Sequence, residues 1–314
     1  MTLQFVDLNG AEQGTIIKHN KEESAPILLF LHGGPGFPAY PLIKANDVRL
    51  EEVFTVCYWD QRGTGSSYKA AEGGKLLTLE QLLDDTVEMI AFLRETYGQE
   101  KIYVLGHSWG SILGTLAAQK VPEHLHAYIG VGQIGIQFES EKEAYDFLVS
   151  EANRRSDERA KRKLARIKLD EEYYLNRAYG AVRFKYARKY DIGFTRDGYS
   201  NLRLIREVMG CSEYRWKDRF RVFSGSDLSY QKLAKEISTA NLIRAVPELK
   251  VPAYFLHGQY DYQTTYRQGC NFYTALEAPV KQFHTFTESA HSPFLEEPEK
   301  FIKLLRTIRE AGES

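Results

Sequence analysis

The chain has 314 residues, 43% of them hydrophobic, enough to bury a large core and to hold one big domain with an insertion. With 41 Lys+Arg against 42 Asp+Glu, the net charge of −1 excludes the basic excess of a dedicated nucleic-acid binder. Three widely spaced cysteines, Cys57, Cys211 and Cys270, speak for reduced thiols in a cytoplasmic setting and against a disulfide scaffold.

Residues 1–7 have neither a basic opening nor an apolar signal core. No run approaches the ~18 apolar residues of a membrane span, so an unsecreted protein with no membrane attachment is expected. The first strands are expected over residues 4–8 and 15–18, followed by an uninterrupted apolar strand at 27–31. That strand runs into His32-Gly33-Gly34-Pro35-Gly36, where glycines let the backbone turn its N–H groups toward a developing negative charge. A plain turn is the alternative reading.

A strand over 54–59 leads into Asp60-Gln61-Arg62-Gly63-Thr64-Gly65-Ser66-Ser67. The spacing then predicts a helix over 78–97, with Leu79, Leu82, Leu83, Val87, Ile90 and Leu93 on one face. Thr78 with Gln81 forms its expected capping box and Gly98 its stop. Next comes a strand over 101–105 and then Gly106-His107-Ser108-Trp109-Gly110-Ser111, a G-x-S-x-G pattern leading into a helical run at 112–118. Glycines at 106 and 110 leave room for a strained strand-to-helix turn with the Ser108 hydroxyl exposed above a sheet. A serine so placed attacks a carbonyl carbon once a base takes its proton.

After a strand at 127–131 the strand rhythm stops, and from about 137 to 240 the chain is charged, aromatic and helical. Residues 139–240 carry 23 Lys+Arg against 17 Asp+Glu, a net of +6, which sets this stretch apart electrostatically. The basic residues Arg154, Arg155, Lys161, Arg162 and Lys163 are most simply an exposed helix surface. Of the aromatics, Tyr173, Tyr174, Tyr179, Phe184, Tyr186, Tyr190, Tyr214, Trp216 and Phe220, most are expected in a small core and a few around an apolar pocket over Ser108. Strands at 253–257 and 281–286 close the pattern, the first running into Gln259-Tyr260-Asp261 and the second into Glu288-Ser289-Ala290-His291-Ser292-Pro293. No internal repeat, low-complexity tract or metal-ligand spacing is present in the sequence.

The glycine loop, the Asp60–Ser67 segment and the Gly-His-Ser-Trp-Gly elbow together resemble the α/β-hydrolase superfamily and, within it, the proline iminopeptidase-like group. The resemblance implies an α/β-hydrolase fold: a mostly parallel, doubly wound sheet of about eight strands with a helical cap insertion. The division expected is 1–136 and 241–314 as hydrolase core and 137–240 as cap. In that fold the nucleophile, acid and base follow in chain order, which makes Ser108, Asp261 and His291 the catalytic candidates. Gly34 and Trp109 are the candidate oxyanion-hole amides. His257 and His284 fall at strand positions better read as packing or hydrogen-bonding residues.

Members of the group cleave an N-terminal residue, often proline, from short peptides, and many relatives are esterases or amidases. A small-molecule or short-peptide substrate follows from the resemblance, with no cofactor needed. Two departures from the group stand out: bulky Phe37-Pro38-Ala39-Tyr40 after the first motif, and His107 where those enzymes usually have glycine. The acidic cap motif that holds the substrate ammonium finds no residue-by-residue match. Glu207, Glu213 and Asp218 lie in the right region, with solvated helix charges as the alternative. Three functions remain open: a proline iminopeptidase-like aminopeptidase, a carboxylesterase, lactonase or amidase of a small acyl substrate, and a low-turnover ligand-binding protein.

Overall fold

A computed structural model of the protein describes residues 3–69, 74 and 77–313. Asn9 and Gly10 both take positive φ, 48° and 73°, which reverses the chain in two residues. Strand β1 (Leu3–Leu8) therefore pairs antiparallel with β2 (Ala11–Lys18), Leu8 opposite Ala11. The second strand begins four residues earlier than its apolar pattern suggests, because the Asn-Gly turn sets its start. Six further strands follow: β3 (Ile27–Leu31), β4 (Thr55–Trp59), β5 (Ile102–His107), β6 (Leu125–Val131), β7 (Ala253–Gly258) and β8 (Lys281–Phe286).

The eight form one sheet in the order β1-β2-β4-β3-β5-β6-β7-β8. Strands β3 to β8 are mutually parallel, and β2 joins β4 antiparallel. Every residue of β3, β4 and β5 is buried, as expected of central parallel strands covered on both faces. The strand order reverses at β3, which lies between β4 and β5. Its carboxyl end carries the His32–Gly36 loop beside the Ser108 turn of β5, the crevice in which open α/β sheets bind ligands.

Helices α1 (Tyr40–Ala45), α2 (Leu79–Tyr97) and α3 (Trp109–Lys120) precede the long insertion, and α10 (Tyr266–Ala275), α11 (Pro293–Glu296) and α12 (Pro298–Glu313) follow it. Side-chain alternation along the strands sends Leu29 and Val104 to the face covered by α2, α3 and α10, and Phe30 and Leu105 to the face covered by α1 and α12. Thr78 caps α2 by accepting the Gln81 amide, and Gly98 ends it at φ 63°. Only half of the expected capping box forms, since the Gln81 side chain donates to Asp85 instead of returning to Thr78. The buried stripe also differs from the apolar pattern. Leu82, Met89, Ile90 and Leu93 are buried, each contributing about 1.5–3 kcal/mol, while Leu79, Leu83 and Val87 are half-covered. The centre of the stripe is Asp85, fully buried and paired bidentately with Arg62 at 2.7 and 2.9 Å.

Between β6 and β7 every described regular element is helical: α4 (Gln137–Arg154), α5 (Glu158–Leu164), α6 (Arg177–Lys189), α7 (Asn201–Met209), α8 (Trp216–Ser238) and α9 (Leu242–Ala245), with a 3-10 turn at Tyr173–Leu175. The chain leaves and re-enters the sheet at a narrow neck. Ile136 bridges antiparallel to Asn241, Gln137 N donates to Ala240 O at 2.9 Å, and Leu242 N donates to Gly135 O at 2.8 Å. Leu148, Leu164, Tyr186, Tyr190 and Ile192 make a small separate core within the insertion. Among the described residues no helix is long and apolar enough to cross a membrane.

Candidate active site

Ser108 stands between β5 and α3 at φ 55° and ψ −119°, a conformation that a serine adopts only where its surroundings over-determine it. They do so by contact. A methyl group on Gly110 would drive into the carbonyl oxygen of Leu31, and one on Gly106 into that of Gly110, so β3, the turn and α3 meet with no room for a side chain. Ser108 N donates to Val131 O at 2.9 Å, which ties the turn to β6. Gly34, in the loop after β3, has φ 119°. Neither its amide nor that of Trp109 donates to a protein acceptor among the described residues, so both N–H groups remain available beside Ser108.

Asp261 lies just beyond β7 and His291 in the loop between β8 and α11. His291 Nδ1 donates to Asp261 Oδ2 at 2.8 Å, which fixes the tautomer and leaves Nε2 with its lone pair. The carboxylate is itself held. Its Oδ1 accepts the amides of Gln263 at 2.8 Å and Thr264 at 3.1 Å, and the Thr264 hydroxyl sits 3.0 Å from Oδ2. Burial works to raise the Asp261 pKa, but the His291 and His257 imidazoles outweigh it and hold the group well below the ordinary carboxylate range. His257 Nε2 lies 2.8 Å from Thr264 O and 3.3 Å from Asp261 Oδ2. Both are acceptors, so that nitrogen carries the proton. Gly132, at φ 55°, passes so close that a Cβ would lie 3.2 Å from both Asp261 Oδ2 and His291 Nδ1.

His107 has a definite partner. Its Nε2 donates to His291 O at 3.0 Å, and the two rings lie 4.8 Å apart. Burial holds its pKa down at about 3, so it stays neutral and clamps the histidine loop to the elbow. The Asp60–Ser67 segment is spent in the same way. Gln61 accepts from Trp109 Nε1 at 3.1 Å and donates to His32 O at 3.1 Å, joining the elbow to the glycine loop. Asp60 accepts from Ser66 N at 2.8 Å and from the Tyr214 hydroxyl of the insertion at 2.5 Å. Burial raises its pKa to about 6 against these bonds.

Two cavities open onto Ser108, of about 450 and 470 Å³, and share Gly34, Phe184, Phe194, Tyr199 and Gln263. The first reaches under α4 and α6 to Glu141, Tyr179 and Arg183. The second lies against His107, His291, Phe37, Leu42 and Phe294, so the bulk of Phe37 does border the cleft. Glu207, Glu213 and Asp218 line neither cavity. Glu207 bonds Tyr199 and, at 2.9 Å, Arg203. Glu213 pairs with Lys44 and Ser212; burial would raise its pKa, but these partners hold it down at about 2. Asp218 is buried between Arg215 at 2.5 Å and Arg221 at 3.1 Å.

The carboxylate that does line a cavity is Glu141 on α4, which sequence reading passed over. It accepts from Tyr179 and, at 2.7 Å, from Arg183, whose Nη2 donates to Tyr262 O at 2.6 Å. Nothing local marks it, because its partners come from α6 and from the loop of Asp261. The basic run behaves as a solvated surface: Arg154 and Arg155 both pair with Glu151, and Lys161 with Glu158. Of the aromatics, Tyr173, Tyr174, Tyr179 and Phe184 line the first cavity, Tyr186, Tyr190 and Tyr214 are buried, and Trp216 and Phe220 are exposed.

Residues 26–298 match the family model described as alpha/beta hydrolase fold. The probable aminopeptidase YbaC of Bacillus subtilis (strain 168) is 31% identical over 292 residues, 89% of this chain and 87% of its own length. A proline iminopeptidase of Heyndrickxia coagulans is 24% identical over 306 residues, 96% of each chain. Among solved structures, the proline iminopeptidase of Mycobacterium smegmatis superposes with a TM-score of 0.69 at 19% identity over 99% of this chain and 98% of its own, a likeness of fold. The chain belongs to the α/β-hydrolase fold family and is a hydrolase of the proline iminopeptidase-like kind.

Proposed function

We propose that this hydrolase works through an acyl-enzyme on Ser108, acting on a small acyl or short-peptide substrate. The observation that carries the reading is the pairing of two features at one cavity: a serine held at positive φ on a turn with no steric slack, and an imidazole oriented by a buried carboxylate. In this reading Ser108 Oγ attacks the scissile carbonyl and His291 Nε2 takes its proton. Asp261 keeps the imidazole in the useful tautomer. The amides of Gly34 and Trp109 receive the oxyanion, each contributing about 3 kcal/mol by the magnitude measured for such donors elsewhere. His291 returns the proton to the leaving atom, and water, activated by the same imidazole, releases the acyl group. Residues 137–240 act as the cap that selects substrates over the 1–136 and 241–314 core. A cytoplasmic enzyme of small substrates, with no nucleic-acid partner, fits the composition.

The relatives' names favour an aminopeptidase, and two features of the site speak for a broad preference over a strictly prolyl one. Phe37 narrows the cleft, and the cavity carboxylate Glu141 is already neutralised by Arg183. A second reading, a carboxylesterase, lactonase or amidase, is favoured by the uncharged cavity beside His291, which asks nothing of a substrate ammonium. The test has two parts. A fluorophosphonate should label the wild type at Ser108 and not the folded Ser108→Ala variant; equal labelling of both would overturn the nucleophile. Comparing kcat/KM for prolyl-, alanyl- and N-acetylalanyl-p-nitroanilide with p-nitrophenyl butyrate then separates the readings. A prolyl preference above about 100-fold would restore strict prolyl specificity.

A further inference from the structure

We propose that the cavity beneath α4 and α6 selects substrates whose acyl portion ends in an anionic group, a carboxylate or its equivalent. This rests on the serine-hydrolase reading and deepens it. The two cavities that meet at Ser108 differ in charge: the wall beside His291 carries no Asp, Glu, Lys or Arg, whereas the other carries Glu141, Arg177, Arg183 and Arg188. Three guanidinium groups against one carboxylate leave it at +2.

That carboxylate is spent within the wall. Glu141 Oε1 takes both the Tyr179 hydroxyl and Arg183 Nε, so its charge is answered by Arg183. Arg177 and Arg188 form no ion pair and no hydrogen bond among the described residues, and Arg183 Nη1 has no partner there either. Exposed arginines are ordinarily only solvated. These two border a cavity that ends at Ser108, and planar guanidinium groups left unanswered there match a carboxylate. The insertion's net +6 adds a field of the same sign at longer range.

The side of the scissile bond follows from the base. His291 must hand its proton to the leaving atom, and His291 borders only the uncharged cavity. The leaving group therefore lies against Phe37, Leu42 and Phe294, and the acyl chain extends toward the arginines.

The probes are p-nitrophenyl hydrogen adipate and p-nitrophenyl hexanoate, which share leaving group and chain length and differ in one terminal carboxylate. After correction for spontaneous hydrolysis, kcat/KM should favour the adipate half-ester by about ten-fold or more, and the ratio should shrink in high salt. An Arg177→Gln/Arg188→Gln double variant should bring the ratio close to one. A wild-type ratio of one or less, or a high ratio that the double variant leaves intact, overturns the inference while fluorophosphonate labelling of Ser108 still upholds the hydrolase. If neither ester turns over but Ser108 labels, adipamate should protect it at lower concentration than hexanamide, and equal protection overturns the proposal. Failure to label Ser108 overturns the hydrolase reading and this inference with it.

Discussion

The elbow and the insertion both hold groups over Ser108, and they do so by different means. Around Ser108 the constraint is contact between backbones, with Gly110 against Leu31 O and Gly106 against Gly110 O. The insertion is held to the core by apolar packing of Val208, Val222 and Leu233 and by polar bonds between residues distant in the chain: Tyr214 to Asp60, Arg183 to Tyr262 O, and the Arg196 amide to Glu296 at 2.7 Å. Glu296 also accepts the amide of Ala290, beside His291, at 2.8 Å, so one carboxylate joins the insertion to the histidine loop. A contact lock admits one residue type. A polar clasp admits many pairs. On the proposed function, the chemistry is accordingly fixed in the core, and the choice of substrate falls to the part where exchange is tolerated.

The largest effect expected from breaking this contrast is on the core side. Asp261→Asn should lower turnover of p-nitrophenyl butyrate by about 10³–10⁴-fold with KM changed little, because the imidazole loses its tautomer and the pocket keeps its shape. Near-normal turnover would mean that the Asp261–His291 bond is structural. Gly110→Ala should cost at least the upper end of the usual ~1–3 kcal/mol of overpacking, since a backbone carbonyl cannot rotate out of the way. A loss below about 1 kcal/mol in urea unfolding would refute the contact lock.

On the insertion side the effects are smaller. Tyr214→Phe removes a donor from buried Asp60 and should cost about 1–3 kcal/mol. Its sign with pH is fixed by the raised Asp60 pKa of about 6. The native carboxyl holds its proton more tightly than the unfolded one, so its contribution is full below about 4 and lost as pH rises through about 6. Loss of the Tyr214 donor raises that pKa further, and the cost should be greater at pH 8 than at pH 5. Equal cost at both would detach Tyr214 from Asp60. Smallest is a gain. Gly180, inside α6, has nothing near the position a Cβ would take, and Gly180→Ala should add about 0.5–1 kcal/mol in the same assay. A loss there would place the insertion under the same steric rule as the elbow.

What the sequence made legible follows the same division. Gly106, Ser108 and Gly110 can be read because the turn tolerates almost nothing else. Asp261 and His291 can be read because the resemblance sets the order nucleophile, acid, base, and each falls in the loop that follows a strand of the sheet. The residues that orient them could not. Thr264, His257 and Gly132 contact the pair through folding alone, and no spacing marks them. Asp85 was hidden inside an apolar helix stripe, its partner Arg62 lying 23 residues away beyond a turn. Glu141 reads as one more helix charge until α6 and the Asp261 loop are laid against it. His107, which the resemblance led one to expect as glycine, proves to be occupied with the backbone of His291.

The neck at Ile136 and Asn241 sets how freely this protein can change. The chain departs from the sheet and returns at one rung, and the entropy of closing such a loop grows only with the logarithm of its length. Doubling or halving the insertion would alter that free energy by only about 0.6 kcal/mol. Loop closure therefore sets almost no limit on the length of the insertion; the limit comes from the side chains it packs into the core, Val208, Val222 and Leu233 among them, while the register of β6 against β7 is fixed at the neck.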